Sequence, residues 1–509
     1  MFLPMNVVKI AIIGAGFSGL GAAIKLQQNG FDDFVILDRG SDFGGTWRDN
    51  TYPGAACDVP SHLYSYSFAL NPSWSRSFSQ QPEIHRYINH VADKYDLGSK
   101  TKWNTEVTNT AWDEDSGQWI IDTSNGQFRA DFMVAGVGPL CEPKLPDVKG
   151  IEGFTGEIFH SARWNSDYDL KGKRVAVIGT GASAVQIIPE LAKTVGQLDV
   201  YQRTAPWILP RADRPYSSGE NWAFKNIPGY QRATRATIYA AHELVSFGLT
   251  HAPNMLAAGK IAGRRNIARG ISDKKLRAAV TPNWKVGCKR ILLSNTYYPA
   301  LNQDNVELVT DPIREVTATG IVTADGVARE VDAIVVATGF HVTDSPVFEH
   351  IIGKDGRSLA EVWESTGMQA YKGTTVNGFP NMFLMVGPST GLGHTSMVYM
   401  IESQLNYLVD YFKLQRQYDI ARVEVRPDVQ RDYNVGIQDN LKSSVWETGG
   451  CASWYKDAFG NITTLWPGFT FNYRRITRKF DLAAYDTASA RSLNPTAGTI
   501  PAAKETVTS

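Results

Sequence analysis

Cysteine is scarce in this chain, with four residues among 509: Cys57, Cys141, Cys288 and Cys451. They lie far apart and form no CxxC pair, which argues against a redox-active dithiol motif and against a zinc knuckle. Such spacing is typical of proteins in a reducing cytosol. We therefore expect a cytoplasmic protein.

An excess of charge and a long apolar run are also missing. Lysine plus arginine and aspartate plus glutamate number 51 each, so no net field favours nucleic acid or an anionic membrane. The longest apolar stretch, NMFLMVGPSTGLGHTSMVYMI, is interrupted by Gly, Pro and His, which argues against a membrane span. The first residues have only Lys9 before a glycine turn, which favours a first strand over a signal peptide.

Motifs for metal binding and for serine hydrolysis are absent from the sequence. The nine histidines show no HExxH or similar ligand spacing, so we expect no metal site. No GxSxG nucleophile elbow occurs, which argues against a serine hydrolase.

Two similar βαβ patterns dominate what is present. The first is VVKIAIIGAGFSGLGAAIKLQQNG followed by FVILDRG, and the second is KRVAVIGTGASAVQIIPELAKTV followed by LDVYQRT. Each has a β-branched strand, a glycine turn, a helical stretch and another strand. The sequence therefore predicts an α/β fold with two Rossmann-like dinucleotide-binding domains.

The segments around these units predict the domain organisation. Residues 101–135 alternate as a β-meander, and residues from about 215 to 285 have a helical pattern that predicts an insertion in the second domain. The expected division is a first dinucleotide domain over 1–150, a second over 151–335, a return to the first domain with active-site loops over 336–485, and a C-terminal tail over 486–509. The tail lacks aromatic residues, so we expect it to be mobile or to lie on the surface.

The first glycine turn matches a dinucleotide-binding fingerprint. Gly14, Gly16 and Gly19 fit GxGxxG between a strand and a helix, and Asp38 ends the next strand. Glycines let the backbone approach a pyrophosphate at the helix N-terminus, and the carboxylate accepts from a ribose hydroxyl. A tight turn without a ligand is the alternative interpretation.

The second glycine turn differs at the ribose position. Gly179, Gly181 and Ala184 occupy the motif, and the following strand ends at Arg203, where the first unit has Asp38. A carboxylate repels a 2′-phosphate whereas a guanidinium pairs with it, so the second site should prefer NADP to NAD. The alternative for Arg203 is a solvated surface charge.

A second glycine pair follows the first unit in GSDFGGTWRDNTYPGAACD. Gly44 and Gly45 allow close backbone approach, and Trp47 could cover a flat ring system such as that of FAD. Simple core packing explains Trp47 equally well.

Several motifs coincide with one family. FTGEIFHSARWN resembles the fingerprint FxGxxxHxxxW at Phe154, Gly156, His160 and Trp164, and GGTWRDNTYPGAACD resembles a second family pattern. The chain thereby resembles the type I, FAD-containing and NADPH-dependent Baeyer-Villiger monooxygenases, a group of class B flavoprotein monooxygenases. The resemblance extends from the first strand to about residue 468. One departure is Asn165, where the family usually has Pro or Asp; Asn can make the same turn contacts.

The resemblance implies an activity and its cofactors. FAD and NADPH would support insertion of one oxygen atom of O2 beside a ketone carbonyl, through a flavin peroxide and a tetrahedral adduct, to give an ester or lactone. A heteroatom oxygenase acting on sulfides or amines is the enzymatic alternative. A flavoprotein that binds nucleotides without turnover is the third.

The resemblance also implies roles for particular residues. Arg290 matches the family's active-site arginine, and Asp58 matches the acid that orients it near the flavin; a solvated Lys-Arg pair and a turn or cap residue are the alternatives. Trp454 matches a tryptophan on a mobile loop that closes over NADP. The other cofactor-binding positions are Phe17, Gly45, Thr46, Trp47, Tyr64, Val107 and Met397 for FAD, and Thr204 and Lys289 beside Arg203 for NADP.

The fingerprint itself is expected to connect the two domains. It lies between the meander and the second glycine turn, so it is interpreted as a linker that couples domain movement to nicotinamide placement. Packing of Phe154 and Trp164 and hydrogen bonds of His160 would do this, with His160 as a structural histidine.

Overall fold

The computed structural model describes residues 6–489, and strands and helices alternate along the glycine-turn units as predicted. No helix in this range is long and apolar enough to span a membrane. The strands within it are β1 (Asn6–Ile13), β2 (Phe34–Leu37), β3 (Thr101–Lys102), β4 (Val107–Asp113), β5 (Gln118–Thr123), β6 (Gly126–Ala135), β7 (Glu157–His160), β8 (Arg174–Ile178), β9 (Gln197–Tyr201), β10 (Ile208–Leu209), β11 (Leu292–Leu293), β12 (Val306–Val309), β13 (Ile313–Thr317), β14 (Gly320–Thr323), β15 (Ala328–Glu330), β16 (Ala333–Val336), β17 (Ile351–Ile352), β18 (Met382–Leu384), β19 (Ile420–Val425) and β20 (Tyr485–Ser489).

The α-helices vary from single turns to more than five turns. They are α1 (Phe17–Gln28), α2 (Thr46–Asp49), α3 (Gln81–Lys94), α4 (Ala182–Leu191), α5 (Ser218–Asn226), α6 (Tyr230–Thr250), α7 (Ala257–Gly270), α8 (Lys274–Ala279), α9 (Tyr297–Leu301), α10 (Leu359–Thr366), α11 (Met397–Tyr418), α12 (Pro427–Leu441), α13 (Val445–Thr448) and α14 (Thr470–Ile476). Short 3-10 turns lie at Gly98–Lys100, Ile151–Gly153, Ser161–Arg163, Pro253–Leu256, Pro346–His350 and Leu482–Ala484.

The first glycine turn belongs to a mixed sheet with the order β17-β4-β5-β6-β1-β2-β3, and β18 also pairs with β6. β1 lies parallel to both β2 and β6, while β4, β5 and β6 form the predicted antiparallel meander. The central strands are buried on both faces, which is why β2 is a continuous apolar run rather than an alternating one.

The second glycine turn belongs to a separate parallel sheet of order β12-β9-β8-β16-β7. All four pairings in it are parallel, as βαβ crossovers require. A three-stranded antiparallel sheet, β13-β14-β15, leads back into β16. Two parallel-sheet units in one chain confirm the predicted fold class.

The predicted helical insertion is confirmed as α5 to α8. α5 begins with a capping box in which Ser217 and Glu220 exchange backbone and side-chain hydrogen bonds. α6 is the longest helix of the insertion. Gly263 in α7 packs against Trp207, where a Cβ would come within 2.8 Å of the indole.

The chain after residue 345 returns to the first sheet. β17 pairs with β4 and β18 with β6. α11 packs on α1 so closely that a Cβ on Gly21 would lie 2.8 Å from Leu405. Of the expected tail over 486–509, residues 486–489 form most of β20, which pairs with β19. Residues 490–509 lie outside the described residues.

One pair of cysteines is cross-linked, which the spacing of the four cysteines does not indicate. Cys288 and Cys451 form a disulfide across a sequence separation of 163 residues, which is unusual for the reducing cytosol inferred from their spacing. Cys57 and Cys141 are free. Folding brings the two distant segments together, and spacing alone carries no information on such a pairing.

Candidate functional site

At the first glycine turn, backbone segments approach each other so closely that Gly14 and Gly19 could not be replaced by residues with a side chain. Gly14 has φ +98°, and a Cβ there would lie 2.7 Å from the carbonyl oxygen of Gly136. A Cβ on Gly19 would come within 1.8 Å of the Gly14 oxygen, so this glycine lets α1 pack on β1. The GG turn joins the same cluster, since a Cβ on Gly45 would lie 3.1 Å from Cα of Gly16.

Asp38 lies at the edge of this turn and is buried. Its carboxylate accepts from the backbone N–H groups of Ala15 and Gly40, each at 2.7 Å. Arg48 also donates to it at 2.7 Å, from the loop that follows the GG turn. The predicted ribose-binding acid is thus beside the glycine turn, with a guanidinium next to it.

An aromatic cluster lies next to the GG turn. Trp47 donates from Nε1 to the Tyr64 hydroxyl at 3.0 Å, and the two rings meet edge to face. Phe17, at the start of α1, packs edge-on against Tyr64 with ring centroids 5.3 Å apart. Burial raises the pKa of the Tyr64 phenol, which therefore stays protonated at neutral pH.

Three further predicted FAD positions are the first residues of their helices or strands. Thr46 begins α2 and Val107 begins β4. Met397 begins α11, whose first turn is capped by Ser396, a side chain that accepts from the backbone N–H of Val398. Thr46 and Met397 thus lie at helix N-termini, where backbone N–H groups lack intrahelical partners, whereas Val107 pairs with Thr123 of β5.

The second glycine turn is open where the first is crowded. Gly179 has φ +114° and packs on Ala337, but a Cβ on Gly181 would meet no atom within 4 Å. α4 follows directly, with buried Ala184 facing the sheet and no side chain capping its N-terminus. Free N–H groups at an open helix N-terminus suit an anionic pyrophosphate.

Two cations meet beyond this turn. Arg203 and Thr204 follow β9 and are exposed, and the Thr180 hydroxyl donates to the Thr204 carbonyl at 3.2 Å. Burial, and then the charge of Arg203, lower the pKa of Lys289. Two cations that are 86 positions apart in sequence therefore form a local positive patch.

Arg290 and Asp58 form a bidentate ion pair. Arg290 donates from Nη2 to both carboxylate oxygens, at 2.8 and 2.7 Å, and from Nε to one of them at 3.0 Å. Asp58 raises the pKa of the Arg290 guanidinium, outweighing the opposite effect of desolvation. The Arg290 side chain is 41% exposed, so the fixed cation remains accessible from one side.

Tyr455 lies behind this pair and was missed by sequence reasoning. The ring is buried, and burial raises its pKa to about 12, against the opposing effect of the Arg290 charge. Trp454 packs edge-on against it with centroids 4.6 Å apart and is 52% exposed. The predicted closing loop thus carries the buried ring of Tyr455 and the largely exposed ring of Trp454.

The segment TYPGAA connects the two nucleotide-binding units directly. The Tyr52 hydroxyl donates to Gln186 of α4 at 3.0 Å, and Gln186 also bonds the backbone of Ala56 in both directions. Gly54 has φ +82°, and a Cβ there would come 2.7 Å from the Gln186 carbonyl. Gln186 has no motif signal in the sequence and is identified only by these contacts.

The fingerprint FxGxxxHxxxW forms β7, the edge strand of the second sheet, and the turn after it. A Cβ on Gly156 would clash with the Phe154 ring and with a backbone oxygen of β15–β16, at 2.6 and 2.5 Å. Trp164 packs edge-on against Phe159 at 4.8 Å. A cavity of about 280 Å³ separates this turn from the GG loop, with Trp164 and Arg48 among its lining residues.

His160 is buried at the end of β7 and makes a local structural contact. Its Nδ1 accepts from the backbone N–H of Ala162 at 3.1 Å, and its ring packs against Phe340. Burial lowers its pKa to about 4, so it is neutral at physiological pH. Asn165 accepts from the N–H of Asp167 at 3.1 Å, the turn contact that an Asp would make, and donates to Glu157.

The comparisons agree with this arrangement. A family model described as pyridine nucleotide-disulphide oxidoreductase matches residues 11–244. A Baeyer-Villiger monooxygenase of Streptomyces coelicolor is 49% identical over 482 residues, which are 94% of this chain and 92% of the relative.

Solved structures match over nearly the whole chain. A cyclohexanone monooxygenase from Rhodococcus sp. Phi1 bound to NADP+ has a TM-score of 0.85 and 29% identity, covering 96% of this chain and 100% of that one. OTEMO in complex with FAD and NADP has a TM-score of 0.85 and 27% identity, covering 95% of this chain and 100% of that one.

Proposed function

We propose that this chain, which belongs to the Baeyer-Villiger monooxygenase family, uses FAD, NADPH and O2 to insert one oxygen atom beside a ketone carbonyl. The ion pair between Arg290 and Asp58 is the observation that carries this proposal. It gives the fold a permanent, oriented cation, which a protein that only binds nucleotides does not require.

The residues around the first glycine turn fit FAD. The N-terminus of α1 has no side-chain cap, and the Gly16 and Gly45 backbones lie close together beside it, which suits the approach of a pyrophosphate to backbone N–H groups. Asp38 is positioned to accept from a ribose hydroxyl. Trp47, Tyr64 and Phe17 supply a rigid aromatic wall for a ring system. When bound, FAD supplies hydride acceptance and oxygen activation, which no side chain provides.

The residues around the second turn fit NADPH. The open Gly181 and uncapped α4 suit the pyrophosphate, and Arg203, Thr204 and Lys289 suit the 2′-phosphate. The lowered pKa of Lys289 supports this assignment, because a phosphate dianion would relieve the repulsion between two cations.

Arg290 is assigned the electrostatic role in the reaction. Negative charge develops on the carbonyl oxygen of the ketone, and a guanidinium held in place stabilises it without reorganisation. Asp58 is a positioning residue, since its two oxygens fix the plane of the guanidinium. The raised pKa of the Arg290 guanidinium keeps it charged at neutral pH, so Arg290 is not assigned a proton transfer.

The Trp454 loop is assigned the exclusion of water. Tyr455 anchors the loop beside Arg290, and exposed Trp454 is free to close over a nicotinamide. A dry site strengthens the effect of Arg290 and protects reactive oxygen species from water.

The domain assignment follows the sheet pairings. Residues 1–150 and 336–485 would form the FAD domain, because β17 and β18 join the sheet of β1, and residues 151–335 the NADP domain. The fingerprint turn faces the GG loop across the 280 Å³ cavity, which supports its proposed role in coupling domain movement. We also propose that the protein is located in the cytoplasm.

The test is product analysis by gas chromatography. The purified protein would be incubated with FAD, NADPH, O2 and a panel of linear, cyclic and aryl ketones plus one thioether. We expect esters or lactones from at least one ketone class, and their loss in Arg290→Ala. Sulfoxide as the only product would favour the heteroatom oxygenase, and hydrogen peroxide alone would contradict both.

A further inference from the structure

The disulfide joins the segment that carries Arg290 to the loop that carries Trp454. Cys288 lies two residues before Arg290, and Cys451 lies three residues before Trp454, with their Cα atoms 6.1 Å apart. The remaining cysteines in the described range are free. The one cross-link therefore lies between the proposed active-site cation and the proposed closing loop.

The two segments are already packed at the cross-link. A Cβ on Gly449 would lie 2.6 Å from Sγ of Cys288, and the N–H of Lys285 donates to the Gly449 carbonyl at 3.1 Å. Cys288 is fully buried beside Trp207 and Trp284. The near end of the loop thus lies on an apolar cluster that supports the Arg290 segment.

The loop beyond Cys451 is attached at buried Tyr455, by the ion pair of Lys456 with Glu447 at 2.8 Å, and at Ile462, whose backbone bonds the Gln438 side chain in both directions. Its far end is held by backbone bonds from Ser389 to Thr463 and from Gly391 to Thr464, at 2.8 and 2.7 Å. Between these anchors Trp454 and Phe459 are more than half exposed. Because Trp454 and Phe459 bury little surface, the parts of the loop that carry them depend on the neighbouring attachments and on the cross-link for their position.

We propose that the Cys288–Cys451 disulfide is a positioning cross-link that holds the loop of residues 452–462 against the Arg290 segment, and that its reduction uncouples NADPH oxidation from product formation. The inference rests on the proposed roles of Arg290 and Trp454. A loosened loop admits water, and hydrogen peroxide is then released before a ketone reacts.

The redox step is a thiol–disulfide exchange. An external dithiol attacks the partly exposed Cys451 sulfur as a thiolate, the S–S bond breaks, and Cys288 leaves as a thiolate that takes up a proton. The second thiol of the reagent then displaces Cys451, so that one disulfide and one dithiol become two thiols and an oxidised dithiol.

The reverse step needs a two-electron oxidant. Hydrogen peroxide accepts two electrons and two protons from the thiols of Cys288 and Cys451 to give the disulfide and two water molecules. The apolar surroundings of Cys288 disfavour its thiolate, which opposes its departure and favours the disulfide. If the protein is cytoplasmic, reversible rather than permanent cross-linking is the expected behaviour of such a pair.

The test compares oxidised holoenzyme with holoenzyme reduced by dithiothreitol, which is then removed. Hydrogen–deuterium exchange over residues 452–462 and the yield of hydrogen peroxide per NADPH would be measured in both, and in Cys451→Ser. We expect exchange in this loop to rise by about tenfold or more on reduction, with more peroxide per NADPH. Cys451→Ser should match the reduced protein and no longer respond to dithiothreitol.

Cys141→Ser is the matched control, and it should respond to dithiothreitol as the wild type does. Equal exchange and equal coupling in the oxidised and reduced proteins would overturn the proposal. So would four alkylatable thiols in protein treated with hydrogen peroxide. If Cys451→Ser fails to fold, the comparison of the oxidised and reduced wild-type protein still tests the proposal. Absence of ester in every form of the protein would reject the proposed function. The exchange measurement would still test whether the disulfide holds the loop in place.

Discussion

Asp58 and Arg290 are 232 residues apart in sequence, yet they share three hydrogen bonds of 2.7 to 3.0 Å. Asp58 comes from the loop after the GG turn and Arg290 from the segment after the helical insertion. One pair thus ties the FAD-side loop to the chain leaving the NADP side. An arrangement in which both oxygens engage the guanidinium fixes its orientation as well as its charge.

The first prediction concerns this pair. Asp58→Asn should lower the rate of ester formation by about tenfold, because the amide keeps the shape but loses charge and one acceptor. Since Asp58 acts through the guanidinium of Arg290, adding Asp58→Asn to Arg290→Lys, which keeps a cation but not the bidentate fork, should cause little further loss. Steady-state ester formation in the four proteins of the cycle measures this, and independent, additive losses would contradict the positioning role.

The second prediction concerns nucleotide preference. Arg203→Ala should raise the KM for NADPH by about ten- to a hundredfold, because the free energy of a charge-assisted hydrogen bond to the 2′-phosphate is lost. The KM for NADH should be unchanged. Arg265→Ala, at an exposed arginine of α7, is the control. If NADH serves the wild type as well as NADPH does, the contrast between Asp38 and Arg203 has no functional meaning.

The third prediction follows from the lowered pKa of Lys289. The ammonium loses its proton at a lower pH than a free lysine, so kcat/KM for NADPH should fall as pH rises, earlier than for an ordinary lysine. In Arg203→Ala the fall should move to higher pH, because the second cause of the shift is removed. A Lys289→Met variant should lack the fall, and the NADH profile of the wild type serves as the reference.

The fourth prediction concerns acid stability. The folded-state pKa of His160 is about 4, whereas an unfolded histidine titrates near pH 6.5. The unfolded state therefore binds a proton that the folded state excludes, and stability is lost as pH falls from about 6.5 to 4, by roughly 3 kcal/mol for this residue. His160→Gln should make the fall of Tm with pH shallower over that window.

His62 allows a check on this prediction, because burial lowers its pKa to about 4 as well. Each histidine should account for part of the acid sensitivity, and the variant should retain the part due to His62. An unchanged slope of Tm against pH in His160→Gln would contradict the buried, neutral assignment.

The local parts of the site were predictable from sequence. Glycine turns, their flanking strands and the ribose-position residues follow from short-range patterns, since each depends on backbone geometry within about 25 residues. The contrast between Asp38 and Arg203 is of this kind. The assignment of Arg290 and Asp58 came from the family resemblance, because no spacing links residues so far apart.

The remaining features depend on long-range packing. Arg48 of α2 donates to Asp38, which follows β2, and Gln186 of α4 in the second unit accepts from Tyr52 in the first. The disulfide could not be predicted from the cysteine spacing for the same reason. Each contact joins segments whose proximity is set by the packing of the two sheets, which no local pattern records.

The most direct test of the account is oxygen-isotope labelling of the product. The holoenzyme would be incubated with NADPH and a ketone that it accepts, under ¹⁸O₂, and the product analysed by mass spectrometry beside the Arg290→Ala variant. We predict one ¹⁸O atom in the ester or lactone from the wild type and no labelled ester from the variant. An unlabelled ester, or equal labelled product from both proteins, would contradict the account.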